Sequence, residues 1–412
     1  ALDRLPGYTA SYGHVADGEG VIDECVALVF RAPHSYTGED VVELSCHGGP
    51  YLLARTLRAL FAAGAVPAGP GEFTRRAFLN GKLDLTGAEA VMALIAADGQ
   101  LAARTALAAR EGAVFRRIRD IERGLIEVQS AFSAYVDYPD DDIPELEPAA
   151  LAAVLQEARE ELSRLLSTFD AGRVLREGVD TVIVGSPNVG KSTLMNLLAG
   201  CERSIVTSTA GTTRDVVEET VRVGNVTLRL ADTAGIRETA DEVEAVGVER
   251  ARNRLRSAAL VLAVFDGARP LEEEDTALLR ELPETTVALI NKSDQPFVID
   301  AAEIRRAVPR VVCISAATGQ GLPELVREVE DITGVCRLNG AEPVLATERQ
   351  RDAVRRALDG VDQASAALEE GLTLDAVSVC VDGALDALME LTGERVTEAV
   401  VDDIFARFCV GK

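Results

Sequence analysis

Apolar positions along this chain follow two rhythms. Between Gly178 and Gly334, short apolar runs ("DTVIVG", "LRLADT", "ALVLAVFDG", "TVALINK", "RVVCIS") alternate with segments of helical spacing. Unbroken apolar runs predict strands covered on both faces, and so a parallel sheet with helices on each side. From Leu85 to Arg173 the text is rich in Ala, Leu, Glu and Arg at helical spacing, broken by "DYPDDDIPELEP", an exposed turn between two long helices. Residues 1–80 mix strand-like runs ("ECVALVF", "VVELS") with Gly and Pro punctuation, then a helical stretch "YLLARTLRALFAAG". The pattern predicts an α/β multidomain chain: a small α/β domain over 1–80, a helical domain in two parts (81–175 and 336–412), and an α/β domain over 176–335 inserted within it.

Composition narrows this picture. A chain of 412 residues exceeds one ordinary core, so two to four domains are expected at roughly 100 to 200 residues each. No uncharged apolar run approaches the roughly 20 residues of a membrane span, and no signal-peptide pattern is present. A net charge of −25 argues against broad electrostatic capture of nucleic acid, so any RNA contact is local or shared with a partner. The seven cysteines are scattered and lack C-x-x-C spacing, which supports neither a disulfide framework nor a zinc site. A reducing, cytoplasmic setting is expected.

The inserted domain carries the chemistry. "GSPNVGKST" follows a strand-like run and opens a helix, the context required of a phosphate-binding loop. Its backbone N–H groups, over Asn188, Val189 and Gly190, would close on phosphate oxygens; Lys191 would reach the β- and γ-phosphates, Ser192 would ligate Mg²⁺, and Thr193 completes the motif. "DTAG" (Asp232, Thr233, Ala234, Gly235) ends another apolar run, placing Asp232 in the magnesium shell and the Gly235 N–H at the γ-phosphate. In "NKSD" (Asn291, Lys292, Asp294), the last carboxylate can accept from guanine N1–H and its exocyclic amine, which excludes adenine. "SAATG" (Ser315, Ala316, Ala317) offers a backbone N–H to the guanine oxygen. Four motifs in this order predict a Ras-like P-loop domain that binds and hydrolyses GTP.

Catalysis departs from the pattern of small GTPases that orient water with a glutamine, because the residue after Gly235 is Ile236. The water-orienting group must come from elsewhere. In "SIVTSTAGTTRD" (with Thr207, Ser208, Thr209, Ala210, Gly211 and Thr212), Thr213 is the second protein ligand expected for Mg²⁺. Six hydroxyl residues there suit a hard monovalent cation, whose charge could replace an arginine finger worth about 10³ to 10⁵ in rate. A polar loop with one metal ligand explains the same composition equally well.

These segments, with "DTAGIRETADEVEAVGVERA", "SYTGEDVVELSCHGGP", "PGEFTRRAFLNGKLDLTGAEAV" and the terminal "FCVGK", resemble the MnmE (TrmE) family of tRNA-modifying GTPases across nearly the whole chain. The resemblance implies a potassium site formed by Asn188, Thr207, Thr209 and Thr212 as two G domains meet, with Glu244 orienting the attacking water through a second water. It implies a folate-binding-like first domain that dimerises and holds 5-formyl- or methylene-tetrahydrofolate through Glu43, Lys82 and Lys412, with Cys409 near the one-carbon unit. It further implies work on tRNA wobble uridine with the flavoprotein MnmG (GidA) in a heterotetramer, FAD and NADH serving on that partner. The product would carry an aminomethyl or carboxymethylaminomethyl group at C5. Members of the family start with a glycine-rich stretch upstream of this chain's first residue, so the folate pocket is expected to be incomplete here.

A ribosome-assembly GTPase of the Era or Der kind is the competing reading, but those proteins add a basic RNA-binding module where residues 343–412 are acidic and helical. A polymerising structural GTPase would need a coiled-coil seam that is absent. The adjacent Cys46 and His47 cannot act as a pair if they sit on one strand, since neighbours point to opposite faces. Cys201 and Cys313 are expected to be small core residues. A C-a-a-X lipidation signal does not fit a chain ending in lysine.

Overall fold

The computed structural model describes residues 2–137, 147–201, 219–230, 255 and 258–411. The chain divides into two compact units, one of Ala1–Met92, Ala109–Leu162 and Asp352–Lys412, the other of Ala93–Ala108 and Ser163–Arg351.

The first unit holds a three-stranded antiparallel sheet of β1 (Thr9–Asp17), β2 (Gly20–Phe30) and β3 (Val41–Cys46), in that order. Alternation of burial along β1 and β2 follows from the period of two: Cys25, Ala27 and Val29 face inward while Glu24 and Val26 face out. The helix Pro50–Ala62 packs against β1 and β2. Two long helices, Ala113–Asp137 and Leu374–Thr392, pack together; the second buries Val377, Val381, Ala384, Leu388 and Leu391 at helical spacing.

The last helix, Glu398–Ala406, packs on Glu72–Leu79, and its Val401 and Phe405 join Phe408, Ala88 and Val91 in one cluster. Beyond it the chain is tied down. Val410 forms an antiparallel bridge with Pro70, and the Gly71 N–H donates to the Cys409 carbonyl at 3.2 Å. Gly71 has φ +63°, and a Cβ there would stand 2.8 Å from Phe408 Cβ and 2.9 Å from the Phe405 carbonyl oxygen. Glycine is required for both the turn and the approach.

The second unit is built on a six-stranded sheet in the order β5-β6-β4-β7-β8-β9: β4 (Val179–Val184), β5 (Glu219–Val223), β6 (Val226–Leu230), β7 (Leu260–Asp266), β8 (Thr286–Asn291) and β9 (Val311–Cys313). Every residue of β7 and β8 is buried, as unbroken apolar runs predict. Successive residues feed opposite cores. Leu262 and Val264 pack with Leu194, Leu198 and Leu289; Ala263 and Phe265 pack with Ile290, Leu279 and Ile304.

Two expectations need correction. The sheet is mixed, because β5 pairs antiparallel with β6. The two-residue connection Gly224–Asn225, with Gly224 at φ +61°, closes a hairpin and leaves no length for a crossover. Cys313 is exposed, not part of a core, because it ends the edge strand β9.

Candidate functional site

The phosphate-binding loop of the second unit joins β4 to the helix Lys191–Cys201 at the carboxyl end of the parallel strands. Its glycines are dictated by space. A Cβ on Gly185 (φ +149°) would stand 2.3 Å from the Val264 carbonyl oxygen, and one on Gly190 (φ +99°) 2.2 Å from Asn291 Nδ2. Asn188 adopts φ +60°, a left-handed conformation asparagine tolerates better than most residues. The Lys191 ammonium folds back over the loop and donates to the carbonyls of Gly185 (2.7 Å) and Ser186 (2.8 Å). Burial pushes its pKa below the ordinary lysine value.

Asn291 ties the motifs together. Its Nδ2 donates to the Val189 carbonyl at 2.8 Å, and its Oδ1 accepts from the Ala316 N–H at 2.9 Å, both bonds buried. One side chain thus fixes the phosphate loop against the "SAATG" turn. Lys292, at φ +63°, pairs with buried Asp266 at 2.5 Å. Asp294 and Ala317 are exposed, Ser315 is fully buried, and the Ser315 Oγ accepts from the Thr318 N–H at 3.2 Å. The structure therefore joins Val189, Asn291 and Ala316 in one bonded chain, while Lys191 is bonded separately within the phosphate loop to Gly185 and Ser186.

A second network was not foreseen from the sequence. The Ser186 hydroxyl hydrogen-bonds Asp275 at 2.6 Å, and Asp275, 1% exposed, also accepts from Arg269 (2.7 Å) and from the Glu272 N–H (3.1 Å). Burial alone would raise the Asp275 pKa, but the bonds from Ser186, Glu272 and Arg269 outweigh it and hold the carboxyl below its usual range. Asp275 sits three residues after Glu272 at a helix start, a spacing legible in the text. Its reach of 89 residues back to Ser186 is not.

Ser192 and Thr193 are exposed in the first helical turn, and Asn188 is exposed at the loop. The Ser192 hydroxyl and the Asn188 side-chain oxygen are hard donors of the kind such cations take, and they are the only members of the two expected ligand sets among the described residues. No group of three His, Cys, Asp or Glu side chains able to hold a metal occurs among the described residues. Thr207, Ser208, Thr209, Ala210, Gly211, Thr212, Thr213, Asp232, Thr233, Ala234, Gly235, Glu244 and Lys412 lie outside the described residues.

In the first unit the expected folate residues stand apart. Glu43 is exposed on β3 opposite Leu28; Lys82 donates to the Pro33 carbonyl at 3.1 Å and lines a cleft of about 990 Å³ with Arg75, Phe78, Arg110, Phe115 and Glu394. Cys409 is exposed, its carbonyl held by Gly71. No hydrogen bond or ion pair among the described residues joins these three to one another.

Comparison with known proteins covers both units. Residues 85–409 match the family model described as MnmE helical domain, and residues 2–82 match GTP-binding protein TrmE N-terminus. The tRNA modification GTPase MnmE of Geobacillus kaustophilus is 40% identical over 418 residues, spanning 100% of this chain and 90% of the relative. That of Symbiobacterium thermophilum is 43% identical over 410 residues (98% and 89%), and that of Clostridioides difficile 38% over 416 residues (100% and 91%).

Proposed function

The chain belongs to the MnmE family, and from that premise we propose that it is a GTP hydrolase that works in tRNA modification. The observation that carries this reading is the Asn291 bridge, which holds the phosphate loop and the base-reading turn in one bonded geometry. GTP would lie over the loop with its phosphates on the N–H groups of residues 188–193. Its guanine would meet the Asp294 carboxylate and the backbone of Ser315, Ala316 and Ala317. Lys191 is half-buried and already folded over the loop, so its ammonium needs little rearrangement to donate to β- and γ-phosphate oxygens. Magnesium, when bound, neutralises phosphate charge; Ser192 and Thr213 are its protein ligands, with Asp232 in its outer shell.

The finer reading extends this site. Asn188, Thr207, Thr209 and Thr212 hold a potassium ion as two G domains meet, and Glu244 orients the water that Ile236 cannot. The first domain dimerises and takes a tetrahydrofolate one-carbon carrier at Glu43, Lys82 and Lys412, with Cys409 beside the carbon. Two features support a dimer: Tyr51, Leu53, Leu57 and Phe61 are exposed on the helix Pro50–Ala62, and Tyr12 faces Val26, both exposed, on the open side of the sheet. A flavoprotein of the MnmG kind, carrying FAD and using NADH, supplies the redox step on wobble uridine in cytoplasmic tRNA. The four-part division at 80/81, 175/176 and 335/336 belongs to the same proposal. No helix among the described residues is long and apolar enough to cross a membrane.

The test is GTP hydrolysis by the full chain in potassium chloride against sodium chloride at equal ionic strength. The reading expects a large potassium preference that Glu244→Ala abolishes while nucleotide binding survives. Equal rates in the two salts contradict the cation-dependent step and leave guanine binding standing.

A further inference from the structure

The motif "SCHGGP" contains two groups that the GTP reaction does not use, and the structure separates them. His47 turns to Asp23: its ring Nδ1 lies 2.8 Å from Asp23 Oδ1, and its backbone N–H donates to Oδ2 at 2.8 Å. Cys46 instead pairs across the sheet. In the antiparallel register of β2 and β3 its direct partner is Cys25.

Residues directly opposite in an antiparallel pair point to the same face. Here that face is the inner one, with Ala27 and Val29 of β2. Antiparallel partners stand roughly 4.5 or 5.5 Å apart at Cα, depending on the kind of pair, and both values fall inside the span of about 4.4 to 6.8 Å that a disulfide bridges. Both thiols are free: Cys25 is buried and Cys46 half-buried. Burial pushes the Cys25 thiol above its ordinary pKa, and Cys46 is the next contributor, which places the two sulfurs within electrostatic reach. No other cysteine lies opposite a cysteine in the described sheets.

We propose that Cys25 and Cys46 form an oxidisable pair that closes to a cross-strand disulfide on reaction with a low-molecular-weight disulfide. The more accessible Cys46 thiolate attacks one sulfur of the oxidant, forming a mixed disulfide and releasing one thiolate. Cys25, after losing its proton to solvent, attacks the Cys46 sulfur and displaces the second thiolate. Two protein thiols are oxidised and one small disulfide is reduced to two thiols. The bond locks β3 to β2 at the entrance to the helix Pro50–Ala62 and leaves the fold otherwise unchanged.

The full chain is incubated with oxidised glutathione, residual thiols are alkylated in acid, and the protein is digested without reduction for mass spectrometry. The expected result is a cross-linked pair of peptides containing Cys25 and Cys46, restored to two separate peptides by reductant. Cys25→Ser removes the cross-link, and Cys46 accumulates as the glutathione adduct. Cys46→Ser leaves Cys25 as free thiol, and retention of the wild-type circular dichroism spectrum shows that both variants fold. A wild-type protein that stops at the Cys46 adduct, or whose Cys25 or Cys46 joins a different cysteine, overturns the proposal.

Discussion

The two sheets of this protein solve different problems. In the six-stranded sheet, β7 and β8 are buried at every position, and the Asn291 side chain at the end of β8 is already bonded to the backbone of two neighbouring loops. In the three-stranded sheet, β1 alternates between exposed and partly buried residues, and the candidate residues around it have separate partners or none in common. A sheet covered on both faces fixes its loops rigidly enough to prebuild a nucleotide site. A sheet with one open face leaves its candidate residues without a shared bonded frame.

The sharpest way to break this comparison is to remove the group that the covered sheet presents most directly. Lys191→Ala should lower GTP turnover by about 10³-fold, in line with losing a half-buried donor aimed at developing charge, while leaving the thermal transition of the first unit in place. Phosphate release and calorimetry check both parts. A smaller loss belongs to base recognition. Asp294→Asn should weaken GTP binding by about 10- to 100-fold, since a charge-assisted hydrogen bond contributes about 1.5 to 3 kcal/mol. Inosine triphosphate, which lacks the exocyclic amine, should lose less. Equal losses for both nucleotides would mean that Asp294 does not read the amine.

The contrast also explains what could be read from the sequence. The phosphate loop, the Asn291 motif and the apolar runs of β7 and β8 are local patterns, each set by a few consecutive residues, and each appears where the text places it. What was hidden depends on distance along the chain. Asn291 was expected as part of a base-reading motif, but its side chain spends both polar atoms on the scaffold, bonding Val189 and Ala316. Ser186, Asp275 and Arg269 form a network whose members belong to different elements, and no local signal couples them. β5 carries no such local signal, because a five-residue edge strand alternates and lacks the apolar run of its neighbours. Cysteine is most often a small core residue, but Cys313 ends the three-residue edge strand β9 and is exposed. The terminal "FCVGK" is docked up to Val410 by Gly71 and Pro70, a contact that only the fold could reveal.

Two smaller effects sharpen the picture of the open unit. Gly71→Ala forces a Cβ against Phe408 and the Phe405 carbonyl in a left-handed turn. It should cost about 1 to 3 kcal/mol, as overpacking does, and release the segment around Cys409, read as faster amide exchange at Gly71, while GTP turnover stays unchanged. Unaltered exchange there would show that the C-terminal segment is held by something other than this contact.

The smallest expected effect concerns Glu122, which is buried beside Arg119 at 3.1 Å with one carboxylate oxygen unpartnered. Burial raises its pKa above the ordinary glutamate value; the Arg119 bond opposes the rise and the Glu394 charge adds to it. A raised folded-state pKa contributes stability that is complete below the unfolded value, about 4.3, and is lost as pH climbs through the folded one. Glu122→Gln should therefore flatten the fall in melting temperature as pH climbs from the unfolded value, about 4.3, through the raised folded one. Parallel curves for the two proteins would show that Glu122 does not titrate differently on folding.

The most direct test of the central claim is inorganic phosphate release by the full chain from GTP and from ATP, side by side, with magnesium and potassium present. The phosphate loop carrying Lys191, tied by Asn291 to the "SAATG" turn, and the Asp294 carboxylate of the same motif predict steady turnover of GTP and none above background for ATP. Equal turnover of the two nucleotides would contradict it.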